Sequence, residues 1–171
     1  MTRIDYPKQV LYFLIFAVTQ VFFMYKFILF DVAFAFYYIG FVLLFPYGVS
    51  RSVTMSIAFL TGLTIDIFSN TPGIHASACV FIAFTKDFWI DVVIRRSDDD
   101  IQIDWNELGL WGLIKYMLPL VFAHHLIIFA IENGGFSGSG LLFNKIFGST
   151  IYSFTIIIAL SILLAPKAKR T

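Results

Sequence analysis

Six polar side chains stand out in a chain that is otherwise mostly hydrocarbon. Asp66, Asn70 and His75 cluster around one short turn, and His124, His125 and Glu132 lie together further along. Aspartate, histidine and glutamate brought together can hold a metal ion, pass a proton, or tie helices to one another by hydrogen bonds. His125 and Glu132 are seven apart and so share a helix face. His124 and His125 are adjacent, about 100° apart on a helix, so they do not readily bind one ion, and no familiar metal-ligand spacing surrounds them. An aspartate within a membrane costs roughly 2.5–3.5 kcal/mol on insertion scales unless it finds partners. Three uses of these groups stand side by side: a structural hydrogen-bond network, a docking or switching site for a partner, and a metal or proton site.

The turn itself lies in the stretch 62–84, GLTIDIFSNTPGIHASACVFIAF. Pro72 and Gly73 break the helical pattern, and Asn70 adds turn chemistry. Gly62 stands four residues before Asp66, on the same face, where a missing side chain lets another backbone approach closely. That backbone belongs either to this chain or to a partner helix.

The elements that must position these groups are hydrophobic helices. The 171 residues are 59% hydrophobic and 13% charged, with a mean hydropathy of +0.85. Such a chain in water would expose more apolar surface than it could bury, so its solvent is lipid. The pattern predicts one all-α domain over 1–171 with six transmembrane helices at about 10–30, 32–47, 53–68, 74–94, 108–131 and 141–165. The second is short, roughly 24 Å at 1.5 Å per residue. Arg3 and Lys8 precede the first apolar run, but no small-residue cleavage site comes after it, so that run reads as a retained helix. Asp104 with Glu107 three residues later fits a capping box ahead of the fifth helix.

Charge sets the orientation. With both termini cytoplasmic, the inner side holds Arg3, Lys8, Arg51, Arg95, Arg96, Lys167, Lys169 and Arg170, and the outer turns hold no Lys or Arg. Lys26 and Lys145 lie near outer helix ends, within snorkelling reach. Lys86, Asp87, Asp91 and Lys115 sit toward the inner side, suited to pairing or snorkelling. The acidic loop 95–107 lacks the Gly and Glu of a calcium-binding EF-hand and reads as solvated. Cys79 is a small buried hydrophobe with no disulfide partner. No GxSxG, HExxH or GxxxxGK[ST] pattern occurs, and the sparse basic residues do not make a nucleic-acid groove. No cofactor is implied.

The segment 62–84 resembles the rod shape-determining protein MreD family. It carries the Gly-Leu-x-x-Asp helix end (Gly62, Leu63, Asp66), the Gly/Pro turn (Pro72, Gly73), and the Gly-hydrophobic-His-Ala opening of the next helix (Gly73, Ile74, His75, Ala76). Residues 115–136 resemble the family's fifth-helix region, where a His pair precedes a Phe and a Glu, here His124, His125, Phe129 and Glu132. The resemblance implies a non-enzymatic scaffold of the bacterial inner membrane in the cell-wall elongation complex. Its partner would be the bitopic protein MreC, alongside RodA, a penicillin-binding transpeptidase and MreB. It also implies a fold similar to the six-helix substrate-binding subunits of energy-coupling-factor vitamin transporters. That similarity supplies the alternative function, in which Asp66, His75, His125 and Glu132 line a ligand pocket.

Overall fold

The computed structural model describes residues 5–23, 28–30, 32–94, 109–136 and 139–164. Arg3, Lys26, Asp31, the acidic loop 95–107 with its Asp104–Glu107 capping box, and the basic C-terminal tail lie outside the described residues.

Helix α1 runs Tyr6–Phe23. Asp5 caps it by accepting the Lys8 N–H at 3.3 Å, and Pro7 sits in its first turn, where no backbone donor is needed. A wider π turn occupies Leu14–Val18. The expected continuation of this helix to residue 30 does not occur. Instead two short antiparallel strands, β1 (Ile28–Leu29) and β2 (Ala33–Phe34), pair with Ile28 opposite Phe34 and Leu29 opposite Ala33.

The expected second helix over 32–47 is also not formed as such. Only its middle is helical, as α2 (Ile39–Leu44); before it the chain is strand over Ala33–Phe34, stays non-helical through Phe36 and turns at Tyr37–Tyr38. The reason lies in groups far away in sequence. The Phe34 N–H donates to Ser149 Oγ at 2.8 Å and the Phe36 N–H to Ser153 Oγ at 2.7 Å. Gln20 takes the Tyr38 N–H at 3.2 Å on its Oε1 and gives its amide to the Ala35 carbonyl at 2.6 Å. Two residues of extended chain advance about 6.6 Å, and four residues of helix about 6 Å. Serines four apart on one helix therefore meet alternate amides of a strand lying alongside it. At the far end, Tyr116 donates to the Leu43 carbonyl at 2.9 Å and Lys86 to the Phe45 carbonyl at 2.8 Å. Unwound backbone at membrane depth is tolerated only when protein satisfies it in this way. The stretch 35–45 is buried throughout and forms the centre of the core.

Around it stand four long helices: α3 (Arg51–Ser69), α4 (Ile74–Ile94), α5 (Gly109–Glu132) and α6 (Ser139–Leu164). These match the expected segments to within two residues at each end. Among the described residues, four spans are long and apolar enough to cross a membrane: Tyr6–Phe23, Arg51–Ser69, Gly109–Glu132 and Gly140–Leu164. Helix α4 has the length, and carries Lys86, Asp87 and Asp91 in its last turns. The outward faces are apolar, with Leu60, Ile67, Ile151 and Leu163 all exposed. Large hydrophobic side chains on the outside of long helices are what lipid, rather than water, accommodates.

Candidate functional site

The turn between α3 and α4 is closed by one carboxylate. Asp66 lies in the last turn of α3 and is 3% exposed. Its Oδ1 accepts the Thr71 hydroxyl at 2.5 Å and the His75 N–H at 3.0 Å, and its Oδ2 accepts the Ala76 N–H at 2.8 Å. The side chain ending one helix thus caps the next. An anion at a helix N-terminus satisfies free amides and meets the positive end of the dipole. Asn70 terminates α3 in the left-handed conformation with φ +55°, a conformation Asn tolerates better than most residues. Gly73 has φ +81°, which glycine adopts without strain. Pro72 is exposed at the tip.

Gly62 decides how close the two helices come. A Cβ built there would lie 2.6 Å from the Ala76 nitrogen and 2.6 Å from the His75 carbonyl oxygen. The face of α3 left open by Gly62 is therefore filled by this chain's own α4, which settles whose backbone approaches it.

The histidines separate into two networks. Tyr38, at the start of α2, places its hydroxyl 2.7 Å from His75 Nδ1 and 2.8 Å from His124 Nε2. His124 Nδ1 is buried and has no hydrogen-bond partner among the described residues. An orphaned lone pair costs less than an orphaned N–H. On that ground His124 Nε2–H donates to Tyr38, and Tyr38 donates to His75. His125 instead turns toward α6. Its Nδ1–H donates to the Val121 carbonyl at 2.8 Å, and its Nε2 faces Ser153 Oγ at 3.0 Å. Ser153 is the residue that also holds the Phe36 amide, and Phe36 stacks on the His125 ring at 5.5 Å. Both His124 and His125 are fully buried.

Glu132 does not join this interior, although it shares a face with His125 in a simple helix count. It lies at the exposed end of α5 and pairs with Lys145 at 3.1 Å. The Lys145 ammonium also lies over the Phe34 and Phe129 rings, at 4.9 and 4.7 Å. At the opposite end, Lys86 is not a snorkelling residue. It is 1% exposed and turned inward to the Phe45 carbonyl, with Asp87 at 3.9 Å. Asp91 accepts the Tyr47 hydroxyl at 2.6 Å. Cys79 is buried, as expected of a small apolar residue.

The arrangement is thus a set of polar clasps between helices. Asp66 joins α3 to α4, Tyr38 with His75 and His124 joins the central segment to α4 and α5, and His125 with Ser153 joins α5 to α6. Among the described residues, no three His, Cys, Asp or Glu side chains converge as a metal site. Sequence reasoning passed over Tyr38, Gln20, Thr71 and Ser153. Tyr38 is one tyrosine among eight and carries no local signal. Ser149 and Ser153 were findable, because two serines four apart on an apolar helix point the same way.

Comparisons with family models, with curated proteins and with solved structures return no significant match.

Proposed function

We propose that this chain is a non-enzymatic scaffold subunit of the bacterial rod-shape and cell-wall elongation complex, seated in the inner membrane and binding MreC through its transmembrane helices. One observation carries the reading. Five of the residues on which the resemblance to MreD rests form one contact unit: Asp66 caps α4 at His75 and Ala76, Gly62 packs on Ala76, and His75 reaches His124 through Tyr38. The motif holds a shape, and its acid and histidine groups are engaged with the chain itself instead of being presented to a substrate. In this reading the chain crosses the bilayer six times, and the second crossing is the half-extended stretch 33–45. Both termini are cytoplasmic, so the Asn70–Pro72–Gly73 tip faces outward and is available to the juxtamembrane part of a bitopic partner. RodA, the transpeptidase and MreB join through the assembly. Helix docking in lipid gains from close packing and a few interhelical hydrogen bonds, so it depends on the turn keeping its form.

The test is co-purification of MreC with tagged variants. Asp66→Leu, which unmakes the cap, reduces recovery well below that of Asp99→Ala in the acidic loop. Equal recovery with both variants removes the basis for placing the turn in the assembly.

A further inference from the structure

An apolar groove of about 550 Å³ runs along the outside of the α3–α4 pair. Its walls are Met55, Phe59 and Leu63 on α3, and Ala76, Val80 and Phe84 on α4. The α3 residues are spaced by four, so they form one continuous stripe. At the turn end the small residues Gly73, Ala76 and Ser77 line the groove. At the other end, the Arg51 guanidinium stacks 5.1 Å from the centroid of the Phe84 ring. Arg51 opens α3 and is exposed. Asp87 lies within electrostatic reach of Arg51 and also faces Lys86 at 3.9 Å. Ser50 makes no side-chain cap to the first turn of α3.

The charge at one end and the length of the apolar wall point to the occupant. From Arg51 to Leu63 helix α3 rises about 18 Å at 1.5 Å per residue. A cation at one end of an elongated apolar trough matches a phospholipid, with its anionic headgroup at Arg51 and an acyl chain lying along Met55, Phe59 and Leu63 toward the turn. We infer that the α3–α4 groove is a binding site for an anionic phospholipid of the leaflet at the Arg51 end. A partner helix would need its own anionic group at the Arg51 level, whereas an anionic phospholipid carries one at that depth by construction. The site is independent of the reading as an MreC scaffold.

Native mass spectrometry tests it. The chain is reconstituted in vesicles of equal phosphatidylglycerol and phosphatidylcholine, extracted in mild detergent, and its retained lipid is counted. The expected result is one phosphatidylglycerol held in preference to phosphatidylcholine. Arg51→Gln lowers that preference roughly fivefold, the weight of one basic side chain near an anionic surface. Ser77→Phe, on an exposed position within the groove, displaces the lipid of either headgroup while leaving Arg51 intact. Circular dichroism and melting of both variants establish that they are folded. A folded Arg51→Gln protein with unchanged preference overturns the site. So does disulfide capture of another protein helix, or of a second copy, by a Phe59→Cys variant in the native membrane.

Discussion

The Asp66 carboxylate accepts the Ala76 backbone N–H at 2.8 Å, so the last turn of one helix supplies the cap of the next. Helices α3 and α4 are a fixed hairpin for that reason, with Gly62 setting their separation. Asp66→Leu leaves the His75 and Ala76 amides and the Thr71 hydroxyl without an acceptor. The expected loss is about 2–4 kcal/mol, from two or three buried donors at roughly 1–3 kcal/mol each with partial relaxation. Asp66→Asn retains one acceptor oxygen and falls between Leu and wild type. Denaturation in mixed micelles, followed by circular dichroism, reads all three.

Gly62→Ala places a methyl group against the Ala76 and His75 backbone, which cannot swing away as a side chain can. Overpacking of this kind costs about 1–3 kcal/mol. Gly140→Ala meets nothing within 4 Å among the described residues and serves as the control, with no loss expected. The difference in melting temperature between the two variants is the measurement.

The central segment gives a sharper test, because its amides depend on side chains. Ser153→Ala deprives the Phe36 N–H and His125 Nε2 of their partner together, and Ser149→Ala deprives only the Phe34 N–H. The expected cost is about 1–3 kcal/mol per orphaned group, so Ser153→Ala is the more damaging. Hydrogen exchange at Phe34 and Phe36 accelerates selectively in the matching variant, while the amides of α3 stay protected.

Much of this architecture was legible in the chain, and the part that was not has one physical cause. Helix α4 begins and ends where the sequence places it, at 74 and 94, because Pro72 and Gly73 are local breakers and the residues from Ile74 onward are largely apolar. Residues 32–47 are just as apolar, so nothing local marks them as extended. They are unwound by Gln20, Ser149 and Ser153, which lie 15 to more than 100 residues away. Seven-residue spacing linked Glu132 to His125, yet the position at a helix end allowed Glu132 to reach Lys145 in the open. Burial, not face, separated the two. Asp66 and His75 were found because charge in an apolar run is conspicuous. Tyr38, which connects His75 to His124, is not conspicuous in a chain this rich in aromatics.

Tyr38→Phe removes one oxygen and leaves His75 Nδ1 and His124 Nε2 without a partner. A loss of about 1–3 kcal/mol is expected for this buried pair. Glu132→Gln disrupts the half-exposed ion pair with Lys145 and changes stability by less than about 1 kcal/mol. If the two variants melt alike, the Tyr38 clasp does not have the structural weight assigned to it.

Whether the Asp66–His75 hairpin serves a scaffold is decided by the identity of the molecules that travel with the chain. The tagged protein is extracted from its native membrane, and co-purifying proteins and small molecules are both identified by mass spectrometry. A scaffold brings with it a stoichiometric MreC-like bitopic protein and no stoichiometric water-soluble metabolite, and that is the expected result. Recovery of an energising transmembrane subunit with its ATPases, or of a bound vitamin, contradicts it and makes the chain a transporter's substrate-binding subunit.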